Sequence, residues 1–235
     1  MKKRPETSPA GGAALARGSF AKRLVALFTA LIMVFALITA CSSGGLRGPA
    51  DATEVDAFER IQRMLFELQS FRAIATVEYR SNKGTNIYET VQHARITGEY
   101  RVEVTAPEAV AGSVTVSDTK QIHQFNSRVN GRVSLMVQET PERSEIFLTS
   151  FIRNYRVCED VSLSVADMDE GVRTVLEATI PGNHPYLAMA RLWVDNETLL
   201  PVKLVIYDGD GIERIVVRYH VFEYNVVLED ALFTV

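Results

Sequence analysis

Six side chains in this sequence are histidine or cysteine, the types used most often for transition-metal ligation and histidine- or thiol-based catalysis: His93, His123, His184, His220, Cys41 and Cys158. A metal site needs such residues at short, fixed separations so that one element or turn aims two ligands at one ion. The four histidines lie far apart, and neither H-E-x-x-H nor a paired C-x-x-C occurs. No G-x-S-x-G elbow and no Gly-rich phosphate loop is present. Asp208-Gly209-Asp210-Gly211 has the opening composition of a calcium loop. It lacks the later oxygen ligands and the closing Glu, and reads as a hairpin turn. Asp167, Asp169 and Glu170 read as a solvated acidic turn. Cys158 follows Tyr155-Arg156-Val157 and reads as a sheltered small hydrophobe. The expectation is therefore no catalytic residue, no metal and no cofactor.

Cys41 belongs to different chemistry. Lys22-Arg23 precede an apolar run from Leu24 to Ile38, interrupted only by Thr29, and Thr39-Ala40-Cys41 follows. A basic head, an apolar stretch and a small-residue site form an export signal. Ile38-Thr39-Ala40-Cys41 resembles the bacterial lipobox, in which cleavage before cysteine leaves a thiol that carries a diacylglycerol. Two or three acyl chains anchor stably, because each buried CH₂ contributes about 0.8 kcal/mol and a single chain is marginal. The competing reading is an uncleaved membrane helix, since the run approaches the ~17 residues that just span a bilayer. Both readings place the rest of the chain outside the cytoplasm, on the outer face of the cytoplasmic or spore membrane. The expected organisation is a signal peptide over 1–40, a lipidated Cys41 with a Ser/Gly/Pro-rich leash to 52, and one domain over 53–235.

Charge and cysteine use bound that domain. Residues 1–41 hold six of the 25 Lys/Arg and one of the 29 acids, which leaves 19 against 28. A body near −9 has no electrostatic footprint for nucleic acid and is repelled by anionic headgroups. With Cys41 committed to the anchor, Cys158 has no partner for an intramolecular disulfide, so the domain must stand on its apolar core.

The elements follow from periodicity. Val55, Phe58, Ile61, Leu65, Leu68 and Phe71 recur at helical steps, with Glu59, Arg60, Arg63 and Glu67 between them. Thr53 or Asp51 is the candidate cap. From Ala73 the period becomes two, and strand-like runs separated by turns follow to residue 137. Ser144–Tyr155 predicts a second, shorter helix with Phe147, Phe151 and Tyr155 on one stripe. Strands resume at 161–165 and 172–180, with a loop at Pro181–Pro185. Three more follow at 186–195, 201–207 and 212–224. This spacing predicts an α+β fold: a strongly curved, mostly antiparallel sheet, an incomplete β-barrel, with helices covering its concave face.

Aromatic side chains are the remaining candidates for binding. Phe125, Met136, Phe147, Phe151, Tyr155, Tyr186 and Trp193 either line a groove for a lipid or partner, or fill the core. Trp193 shares its strand face with Met189, Arg191 and Asp195, which places it on the more polar side.

Tyr100–Pro107 followed by Ser113–Asp118, and Trp193–Lys203 with its Pro-Val-Lys restart, resemble the LolA/LolB lipoprotein-carrier superfamily. The lipidated start, Leu148–Tyr155 and Ile180–Tyr186 are most similar to the germination lipoprotein GerS group within it. The resemblance implies a LolA-like half-barrel and a binding scaffold that supports a cell-wall amidase during spore germination. Its alternative implication is a carrier or acceptor of acyl chains or lipoproteins. His123-Gln124-Phe125-Asn126 departs from carrier-like sequences, where an aromatic-rich strand is commoner.

Overall fold

The structure is a computed structural model and describes residues 52–126, 131–136, 144–158, 162–168 and 171–234. The export signal, Cys41, the leash and Asp51 lie outside the described residues. Residues 51–235 form one compact unit, with a continuous core and all of its strand pairing internal, the properties of a body that folds by itself.

Helix α1 spans Ala52–Glu67. Ala57, Ile61 and Leu65 repeat every four residues on its buried side, while Glu59, Arg60 and Arg63 are exposed. The helix stops at Glu67, short of the extent its apolar stripe predicts. Thr53 lies inside the helix and is not its cap. Leu68 and Phe71 are fully buried, but Phe71 already belongs to a strand. Asn225 accounts for the stop: its Oδ1 accepts from the Gln69 amide at 2.7 Å, and its Nδ2 donates to the Glu67 carbonyl. One side chain thus satisfies groups that the end of a helix leaves open.

Eleven strands make one sheet: β1 (Ser70–Ser81), β2 (Gly84–Arg95), β3 (Tyr100–Ala106), β4 (Ser113–Ser117), β5 (Gln121–Asn126), β6 (Gly131–Met136), β7 (Ser162–Met168), β8 (Gly171–His184), β9 (Leu187–Asp195), β10 (Pro201–Tyr207) and β11 (Glu213–Tyr224). Their order is β6-β5-β4-β3-β2-β1-β11-β10-β9-β8-β7. Every neighbouring pair is antiparallel. Two meanders are therefore joined where β1 meets β11, and β6 and β7 are the two edges of an open, curled sheet. The expected class holds.

Helix α2 (Leu148–Val157) lies in sequence between the two meanders. It begins later than expected, since Ser144–Phe147 form a turn, and it runs on past Tyr155. Its Gln62–Tyr155 hydrogen bond (3.1 Å) ties it to α1, and Arg156 donates to the Phe66 carbonyl at 2.7 Å, closing the α1 C-terminus. Leu148, Phe151 and Ile152 pack with Ile61 and Leu65 against the inner face of the sheet. Ala73, Ala75, Ala94, Ala178 and Ala190 stand in the same core. Such small side chains let helix and sheet approach closely.

Three further departures have clear causes. β8 continues through the expected Pro181–Pro185 loop as far as His184. Proline is tolerated because pairing with β9 skips from Thr179 to His184, so no ladder bond is lost at Pro181. In β4 the alternation is inverted: Val114 and Val116 face outward and pack on Phe233. Cys158 caps α2 and is half-buried rather than enclosed. Among the described residues no helix is long and apolar enough to cross a membrane.

Candidate functional site

The helices cover only part of the inner face. No residue of α1 or α2 lines the remainder, which forms an open cleft of about 800 Å³. Register explains its composition. Val102 pairs with Thr115, and Thr115 pairs with Gln124, so these three share the inner face and carry it from apolar to polar. Val77, Val102, Val104, Ile146, Leu187 and Ile215 form the apolar floor. Tyr88, Thr90, Ser113, Thr115 and Gln124 supply a wall of hydroxyl and amide groups. Arg80, Lys83, His184, Tyr186 and Arg214 surround the mouth.

Turn chemistry positions the mouth. In the β1–β2 turn the Ser81 hydroxyl donates to the Gly84 carbonyl at 3.0 Å and accepts from the Lys83 amide at 3.3 Å. That bend holds Lys83 in solvent. The Asp208–Gly211 segment is the hairpin its sequence predicts. Asp208 Oδ1 accepts the amides of Asp210 (3.0 Å) and Ile212 (2.9 Å), and Gly211 takes φ 77°, a conformation glycine adopts without steric cost. The Ile212 amide first, and the Arg214 guanidinium with it, hold the Asp208 carboxyl below the usual carboxylate range against the opposing effect of burial. Arg214 Nε reaches Asp208 Oδ2 at 2.6 Å, its guanidinium lies 5.4 Å from the Tyr186 ring centroid, and it reaches Asn82 at 3.4 Å. The two hairpin ends are thereby joined across the mouth. Arg80 is held by Glu78 at 2.7 Å and by a close contact with Glu213. The Glu78 hydrogen bond dominates the rise of its pKa.

Among the described members of the set singled out from sequence, only Tyr186 borders the cleft, at the β8–β9 turn and half exposed. Phe147, Phe151 and Tyr155 come together, but in the closed core. Phe125 points outward beside Val114, Val116 and Phe233. Trp193 is on the outer face, as its strand position predicts. It packs with Met189, Val205, Tyr207 and Val216, and Lys203 Nζ lies 3.9 Å from its ring centroid. Met136 ends β6, and its side chain lies outside the described set. The cleft cations Arg80, Lys83 and Arg214 escaped sequence reasoning. The available signal was the run of polar inner positions in β4 and β5, where a covered sheet would carry apolar ones.

The histidines remain scattered. His93 sits on the outer face between Arg72 and Arg101, and burial followed by those cations lowers its pKa. His123 contacts Ser134 at 2.8 Å. His220 Nε2 lies 2.6 Å from Thr76 Oγ1, which also donates to Glu89 at 2.9 Å, on the open outer surface. Among the described residues no group of three His, Cys, Asp or Glu could hold a metal ion. The described lining of the cleft contains neither carboxylate nor thiol. What it offers a ligand is shape, hydrogen bonds and positive charge.

Known proteins resemble this chain in part. No curated protein matches it. Among solved structures, a chain in the complex of the CwlD amidase from Clostridioides difficile with the GerS lipoprotein is 25% identical, with 76% of this chain and 100% of that one covered and a TM-score of 0.44. A LolA superfamily protein from Nitrosomonas europaea is 16% identical over 77% of this chain and 96% of its own, at a TM-score of 0.43. An uncharacterised conserved protein from Thermus thermophilus is 16% identical over 76% and 91%, at 0.46. The family model for YdcC-like sporulation proteins matches residues 22–233, nearly the whole sequence. The chain belongs to the YdcC-like sporulation protein family.

Proposed function

We propose that this chain is an exported lipoprotein, anchored by acyl chains on Cys41 at the outer face of the cytoplasmic or spore membrane. There it binds and supports a cell-wall hydrolase without catalysing a reaction itself. The observation that carries the reading is the open cleft: a recognition surface of apolar floor, polar wall and cationic mouth, with neither carboxylate nor thiol in its described lining. Membership of a sporulation family supports a wall-remodelling setting. The likeness of Leu148–Tyr155 and Ile180–Tyr186 to the GerS group names an amidase of the spore cortex as the partner class. The solved GerS–CwlD complex makes such an amidase the first partner to try.

The test is direct binding between residues 51–235 and each purified wall amidase of the source organism, followed by interferometry and by amidase activity on peptidoglycan. Saturable binding that raises activity or retains the amidase is expected. Failure to bind any of them sinks the scaffold reading.

The apolar floor favours a second reading, a carrier or acceptor of acyl chains. Native mass spectrometry of the purified domain would then show a bound lipid, and a lipid-free domain that takes up no fatty acid removes it.

A further inference from the structure

We infer that the cleft receives a peptide segment of the partner that combines an apolar anchor with acidic side chains; this rests on the scaffold reading and specifies what the scaffold grips. The first argument is the two-sided lining. A hydrocarbon chain laid on the floor would strip water from the Ser113, Thr115 and Gln124 side chains that lie beside it on the same face and give nothing in return. A peptide replaces that water with its own carbonyls and amides, while one apolar side chain packs on the floor.

Charge supplies the second argument. The body of the protein is acidic, yet the described lining holds Arg80, Lys83 and Arg214 and no acid. The carboxylates that hold the two arginines, Glu78, Glu213 and Asp208, stand outside the lining. Lys83 has no ion-pair partner among the described residues, and its ammonium is available to an incoming carboxylate at the mouth. With Arg80 and Arg214 neutralised by those carboxylates, the uncompensated charge at the mouth is that of Lys83, and it selects and orients an acidic segment, an effect that salt weakens.

The experiment uses residues 51–235 with two fluorescein-labelled twelve-residue probes. Each carries a central Leu-Phe pair, flanked by Glu in one and by Lys in the other. The Glu probe is expected to bind saturably, to weaken about tenfold in Lys83→Glu and with added salt, and to bind Trp193→Ala as it binds the unaltered protein. The Lys probe is expected not to bind. Lys83 is an exposed turn residue, so its variant keeps the fold, which circular dichroism verifies. Thr115→Val, nearly isosteric, should weaken the Glu probe without changing its preference over the Lys probe. The inference is overturned if neither probe binds, if the two bind alike, if Lys83→Glu leaves affinity unchanged, or if only a fatty acid binds. An amidase captured equally by the unaltered protein and Lys83→Glu overturns the cleft assignment and leaves the scaffold reading standing.

Discussion

The guanidinium of Arg95 stands 4.8 Å from the ring centroid of Phe233, at the far end of the chain. The same side chain contacts Asp230 at 2.7 Å and donates to the Leu228 carbonyl. Arg95 ends β2 on its outer side, so it pins the segment after β11 across the outer face of the first meander. Phe233 then closes over Val114 and Val116. This explains the inverted alternation of β4: its apolar residues face outward because the C-terminal segment covers them. Its polar residues are thereby left for the cleft.

Phe233→Ala should cost about 3 kcal/mol, the low end of the range for removing a buried aromatic ring, because the small cluster around it can partly relax. Arg95→Ala should cost less, since an exposed ion pair and one cation–π contact contribute about 1 kcal/mol together. Urea unfolding of the two variants gives the comparison. Equal losses would mean that the segment is held by charge rather than by the ring.

Asp208 predicts a pH dependence. Its folded pKa lies below its unfolded value, near 3.9 for an aspartate. The stabilisation is therefore present above about pH 4 and is lost as pH falls through the folded value. Asp208→Asn removes that contribution. The difference between the two proteins should be largest at pH 7 and should shrink as pH falls below about 4. Urea unfolding at pH 7, 4 and 2.5 measures it, and a constant difference would show that Asp208 acts through shape alone.

Much of the frame was legible because local chemistry and tertiary need agree. Pro201–Tyr207 is a strand in sequence pattern and in structure, and Asp208–Gly211 turns as its composition dictates. Phe71 shows where one period hides another: it continues the helical stripe of Ile61 and Leu65 and equally begins the two-residue alternation of β1. Burial satisfies both patterns, and only the Asn225 contacts decide where α1 ends. The cleft was not legible for a different reason. Ser113 and Thr115 are inward only because Val114 and Val116 have Phe233 outside them, a contact between residues over a hundred positions apart in sequence. Aromatic content pointed to the closed core, whereas the cations that border the open cleft lie in two separate segments, Arg80 and Lys83 at the β1–β2 hairpin and Arg214 at the start of β11.

The helix-to-helix contact should be dominated by packing. Phe151 of α2 is fully buried in the cluster that also holds Ile61 and Leu65 of α1. Phe151→Ala should cost about 3–5 kcal/mol. Gln62→Ala, which removes only the hydrogen bond to the Tyr155 hydroxyl, should cost about 1 kcal/mol. Chemical denaturation separates the two, and a larger loss at Gln62 would show that the helices are fastened by the polar link.

The proposed anchoring rests on Cys41, outside the described residues, and its test is independent of the cleft. If the thiol carries two or three acyl chains, their buried methylenes contribute about 0.8 kcal/mol each, and the sum holds the protein on the bilayer. Cys41→Ser removes the acceptor sulfur and, with it, lipobox processing. Two outcomes then separate the readings of the apolar run from Leu24 to Ile38. A cleaved lipoprotein labels with radioactive palmitate in the unaltered protein and loses that label in Cys41→Ser. The variant then either leaves the membrane fraction or stays there at the larger, uncleaved mass. A membrane helix takes up no palmitate in either protein, and both migrate at the same full-length mass. Absence of label in the unaltered protein would discard the lipid anchor while leaving the inner-face cleft and its peptide preference untouched.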